Sequence, residues 1–205
     1  MTRSTHRIAA AACALLLVLP GWTAAHAAAG PLDGIDSQLI YKNFPIEGIT
    51  DVSEQRGPSA IPGCAQVKSF EVVEGSPGTV MIAICKDGEF GPEKIEATVA
   101  RQVAQARQAL NTVPPQVADF MLAGIEAVEV PLDAGGRGKA LTIPVIGHGL
   151  AMVPLAYAVM AGEDAAIFVQ AYLDPNRPRN LNVAMAALLK AIHQRVALRL
   201  KPSSP

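Results

Sequence analysis

Residues 139–174 read KALTIPVIGHGLAMVPLAYAVMAGEDAAIFVQAYLD, and the fold turns on how they are understood. From Ala140 to Gly162 run 23 residues without Asp, Glu, Lys or Arg, broken only by His148. A bilayer span needs about 20 apolar residues, so length alone permits one. As a single helix, however, the stretch would hold Pro144, Gly147, Gly149 and Pro154 in its interior. An internal proline costs roughly 3 kcal/mol. Bilayers tolerate such breaks when neighbouring helices re-satisfy the backbone, and a solitary span has none. Its flanks, Arg137 and Lys139 before and Glu163-Asp164 after, carry no clear aromatic belt.

Strands account for the pattern better. Ala140–Ile146, Leu150–Met160 and Ala165–Leu173 form three apolar runs split by Gly147-His148-Gly149 and by Ala161–Asp164. Both alternating faces of 150–160 are apolar, as in a strand covered on two sides. In the third run Ile167, Val169, Ala171 and Leu173 share one face, and Phe168, Gln170 and Tyr172 share the other. Pro144 and Pro154 remove ladder donors and belong at bulges or beside unpaired positions. A membrane span is therefore disfavoured in favour of the centre of a sheet.

The flanking segments supply the rest of an α+β domain. Downstream, Asn180 can cap a helix over about 180–198 in which Leu181, Met185, Leu188, Ile192 and Val196 line one face. Upstream, Pro92 opens a helix over about 93–110, with Ile95, Val99, Val103, Ala106 and Leu110 recurring at helical spacing until Pro114-Pro115. Glutamines and arginines on its other side, among them Arg101, Gln102, Gln105 and Gln108, read as a solvated face. Residues 65–73 and 79–85 are β-prone runs around the Gly- and Pro-bearing loop 74–78, a hairpin signal. A strand is expected over 125–132, preceded by a short one over 117–122, with 133–138 as a hairpin turn and a weak first strand over 46–52. The expected architecture is a single α+β domain, mainly antiparallel sheet packed by the two amphipathic helices.

Residues 1–27 are read apart from the fold. Arg3, His6 and Arg7 form a basic region, Ile8–Leu19 an apolar one, and Ala25-His26-Ala27 a small-x-small cleavage pattern, together a secretory signal. They hold two of the 17 Lys+Arg and none of the 18 Asp+Glu, so the remainder nets −3. A mildly acidic chain without a basic cluster argues against nucleic acid as a partner. After that cut, residues 28–45 read as a leader, 46–200 as the domain and 201–205 as a disordered tail. Cys64 and Cys85 remain as an even pair, which in an oxidising compartment favours a structural disulfide across the open end of the hairpin. Pairing around the loop brings Cys85 near Val67, with Cys64 a few residues beyond.

Catalytic equipment is sparse in the linear sequence. G-x-S-x-G, H-E-x-x-H and both glycine-loop phosphate fingerprints are absent, and nothing indicates a cofactor or a metal site. Two histidines follow the signal: His148 in its glycine turn, and His193, expected on the exposed flank of the last helix.

The order of hairpin, long helix, antiparallel strands and terminal helix resembles the Mog1/PsbP-like α/β/α sandwich. Pro92–Leu110, Ala123–Ala127, Leu150–Leu173 and Asn180–Leu198 carry that resemblance. It implies a small binding or assembly factor and transfers no catalytic residue. The leading expectation is a periplasmic or secreted binding or accessory protein with a protein or small-molecule partner in the cell envelope. The alternatives are an envelope hydrolase using His148 with a carboxylate, and a protein anchored through Ala140–Gly162.

Overall fold

The computed structural model describes residues 30–44, 52–54, 61–72, 78–133, 136–146, 150–160, 164–172 and 181–200. The expected signal, all of the expected 46–52 strand except Val52, His148, Glu163, Asn180 and the tail lie outside them.

Among the described residues seven antiparallel strands form one sheet: β1 (Val52–Glu54), β2 (Cys64–Val72), β3 (Thr79–Cys85), β4 (Val128–Pro131), β5 (Arg137–Ile146), β6 (Leu150–Val159) and β7 (Ala166–Tyr172). Their spatial order is β1-β2-β3-β7-β6-β5-β4. Two meanders, β1 to β3 and β4 to β7, therefore meet where β3 pairs with β7. The stretch quoted at the outset supplies three adjacent strands, and no helix among the described residues is long and apolar enough to cross a membrane. Anchoring through Ala140–Gly162 as a helical span is thus replaced by two paired strands. Both prolines stand where a strand has only one partner. β4 pairs with β5 only over 137–140, leaving Pro144 beyond it, and β7 pairs with β6 only over 155–159, leaving Pro154 just outside.

Helices cover both faces. On one side lie α1 (Ser37–Asn43) and α4 (Asn182–Leu200). Met185, Leu188, Ile192 and Val196 of α4 are fully buried against Phe70, Ile82, Ala156 and Val169, the stripe that the spacing predicts. On the other side α2 (Ile95–Leu110) and α3 (Pro115–Ile125) bury Ile95, Val99, Leu110, Met121 and Ile125 over Leu141, Leu155 and Phe168. Alternate residues of β7 feed the two cores, Ile167 and Val169 one, Ala166 and Phe168 the other.

Three sequence expectations change. Residues 117–122 are helical and only 128–131 of the expected 125–132 strand is extended. Pro115 opens α3 rather than ending α2's segment, because its missing N–H is an orphan in the first turn anyway. Ala118, Met121, Leu122 and Ile125 then fall at helical spacing on the core side. The stretch set apart as a leader belongs to the domain: Leu32, Ile35, Ile40 and Phe44 are buried in the α4-side core. Side chains of β2 fasten it, Gln66 accepting from the Leu32 N–H at 2.9 Å and Lys68 donating to the Ile35 carbonyl at 3.1 Å. Asp36 caps α1 by accepting from the Leu39 N–H at 2.8 Å.

The third change concerns register. Cys64 lies directly opposite Cys85, and Val67 faces Ala83; an irregularity between Cys64 and Gln66 absorbs the offset. Cys64 and Cys85 form a disulfide that joins β2 to β3 at the hairpin's open end. Beside it Gly63 adopts φ +84, where a Cβ would lie 2.3 Å from the Asp87 carbonyl oxygen, so the close approach of the two chains requires glycine. Closing a loop of 21 residues' separation constrains the unfolded chain by about 3 kcal/mol. Urea unfolding of the Cys64→Ser/Cys85→Ser variant should show that loss, and equal midpoints for variant and oxidised wild type would refute it.

Candidate functional site

Between α2 and the sheet lies an open cleft of about 500 Å³. Its floor is Ile143 and Val145 of β5, Val153 and Leu155 of β6, and Gln170 and Tyr172 of β7. One wall is α2, which presents Gln102, Gln105, Ala106 and Ala109. The cause is local. Elsewhere α2 plants Ile95, Val99 and Leu110 in the core over the sheet, but at 106 and 109 it carries alanine, and these short side chains line the cleft. Beyond the helix's shadow the floor is open to solvent: Val145 is 49% and Tyr172 52% exposed.

Among the described residues the lining contains no Asp, Glu, Lys, Arg or His. Its polar groups are three carboxamides and the Tyr172 phenol. Gln102, Gln105 and Gln170 have no side-chain hydrogen-bond partner among the described residues. Two other glutamines are committed to the fold, Gln66 to Leu32 and Gln194 to Asp133. The arrangement can hold an apolar body on branched aliphatic side chains while offering donors and acceptors at its edges.

Of the residues that the sequence singles out, Cys64 and Cys85 are joined as a structural bridge and His148 is outside the described residues. His193 is not an exposed flank residue. It is buried at 3% exposure, its Nε2 lies 3.3 Å from where a Cβ on Gly136 would sit, and its Nδ1 has no hydrogen-bond partner among the described residues. It falls four residues after Leu189 and packs under the β4–β5 turn, a placement the helical stripe alone misses because histidine counts as polar. Tyr157, on the cleft side of the sheet, has its phenol pushed up to about 12 by burial and then by Glu96 and Glu129. It stays neutral and offers no base. Among the described residues no three His, Cys, Asp or Glu side chains are placed to hold a metal ion.

Burial lowers the pKa of His193, and Asp133 opposes this in part. In the unfolded chain the imidazole takes its proton near 6.5. Between the lowered folded value and about 6.5 the unfolded state binds more protons, so stability rises with pH across that window. The His193 contribution is complete above the window and is lost as pH falls through it. Urea midpoints of the wild type should drop from pH 7.5 to pH 5 by more than those of His193→Leu. Parallel pH profiles would show that burial of His193 is not linked to protonation.

Gln102 and Gln105 were legible in the sequence only as part of a solvated helix face. What could have drawn them out is the pair of alanines at 106 and 109 inside an otherwise bulky stripe. Compared with family models, curated proteins and solved structures, the chain matches none.

Proposed function

We infer that this chain is an exported binding or accessory protein, periplasmic or secreted, and that its ligand sits in the cleft between α2 and the β5–β7 floor. The single observation that carries this reading is the cleft itself. It combines an aliphatic floor with three carboxamides that form no side-chain hydrogen bond among the described residues. Its size lies within the roughly 300–1,000 Å³ of small-ligand sites. Export rests on the basic region with the apolar run Ile8–Leu19 and the Ala25-His26-Ala27 pattern. A disulfide joining two strands fits an oxidising compartment.

The test uses an uncharged naphthylamine whose fluorescence rises in apolar surroundings. The mature protein should bind it saturably. Ala109→Trp, which fills the cleft from the helix side without removing a core contact, should weaken binding at least about tenfold, a change of about 1.4 kcal/mol. Far-UV circular dichroism would establish that the variant is folded. Absence of saturable binding, or equal affinity for the folded variant, would sink the reading.

A further inference from the structure

We propose that the cleft takes a short, uncharged peptide segment with branched aliphatic side chains. The inference rests on the preceding assignment of the cleft as a binding site, and it names the chemistry of the occupant. Charge is the first discriminator. With no ionic side chain in the lining among the described residues, a carboxylate or ammonium group seated there would lose water and gain no counter-ion from them.

The polar groups narrow the class further. Each carboxamide presents one acceptor oxygen and two N–H donors. Gln102 and Gln105 stand three residues apart, on one face of α2, and Gln170 lies on the floor. A ligand between them meets both donors and acceptors on two sides. Peptide groups answer that pattern, because each carries one donor and one acceptor without net charge. A simple hydrocarbon would leave the carboxamides unpaired and dehydrated, which is costly. The floor of Ile143, Val153 and Leu155 matches aliphatic side chains projecting from such a segment.

Position in the sheet supports the same occupant. Gln170 is directly opposite Leu155 on β6 and Met81 on β3, in the middle of the sheet, so its amide meets the ligand from below rather than at the rim. Tyr172, two residues on, shares that face and leaves half its surface exposed at the open end of the cleft. An aromatic ring with a hydroxyl there can cover the end of a bound segment.

The experiment titrates N-acetyl-valyl-leucine amide against protein carrying the neutral naphthylamine probe. The capped dipeptide should displace the probe, and the same dipeptide with free termini should do so at least about tenfold less well. Gln170→Leu and Gln102→Leu should each weaken the capped dipeptide by roughly two- to tenfold, read by competition against the probe affinity redetermined for each variant. If the probe binds and the capped dipeptide does not compete, the peptide inference falls while the cleft stands as a binding site. Displacement by a neutral oligosaccharide in place of the dipeptide overturns it likewise. Dipeptide binding indifferent to both glutamine substitutions also overturns it. If neither probe nor dipeptide binds, both readings fall together.

Discussion

Asn182→Ala should destabilise the protein by about 3–5 kcal/mol, measured as the loss of unfolding free energy in urea. Asn182 is in the first turn of α4, yet its side chain points inward and is 1% exposed. Its Oδ1 accepts from the Thr142 hydroxyl at 2.7 Å, and its Nδ2 donates to the carbonyls of Gly124 and Glu126 at 3.0 and 2.9 Å. One amide thus joins the start of α4, the end of α3 and the middle of β5. The two carbonyls are among those that a helix C-terminus leaves without an intrahelical donor. Alanine would strand the Thr142 hydroxyl and the Gly124 carbonyl away from water, at roughly 1–3 kcal/mol for each buried group, and would leave the part-buried Glu126 carbonyl without its donor. Thr142→Val removes one bond and leaves the other two, so its cost should be about 1–2 kcal/mol. Equal losses for the two variants would show that the carbonyl contacts contribute nothing.

The other large effect is expected at Phe168. Its ring is 2% exposed and stacks on Phe90, with centroids 4.3 Å apart and planes 29° from parallel. Around it are Ala83, Cys85, Ile95, Val99 and Tyr157 of the same core. Phe168→Ala should cost about 3–5 kcal/mol, from lost transfer energy and the cavity left behind. In a domain of this size that corresponds to a fall in Tm on the order of 10 °C. Because Ile167 faces the opposite core, the damage should be one-sided. Hydrogen exchange should accelerate first in α2, whose Ile95 and Val99 share the Phe168 core, and later in α4. Acceleration in α4 ahead of α2 would contradict the assignment of the two faces.

Much of this architecture is readable from residue patterns because the decisive features are local. Alternation through 165–173 and the 3.6-residue stripes of α2 and α4 follow from which side chains must leave water. α3 was missed for a physical reason: Phe120, Met121, Leu122 and Ile125 suit a strand or a helix, and only their packing over β5 decides between them. The buried status of His193 and the tying role of Asn182 depend on partners 40 or more positions away, His193 beneath Gly136 and Asn182 at Gly124 and Thr142. The cleft is a matter of what α2 fails to fill, so no single residue type announces it. A disulfide across the hairpin was within reach because two cysteines flank two short strands and a turn.

The meeting of the two meanders has a kinetic consequence. β3 and β7 are neighbours at the sheet's centre, yet their partner residues, such as Val80 and Ala171, come from opposite halves of the chain. A hairpin of β2 and β3 can close early and locally. The sheet as a whole cannot, since β3's free edge waits for the last strand, and joining segments so distant bears a loop-closure penalty before any contact repays it. Assembly should therefore be slow compared with a helical bundle of equal length. A chain emerging N-terminus first stays unfinished, and pliable enough to be threaded, until its final strand and helix are free to dock.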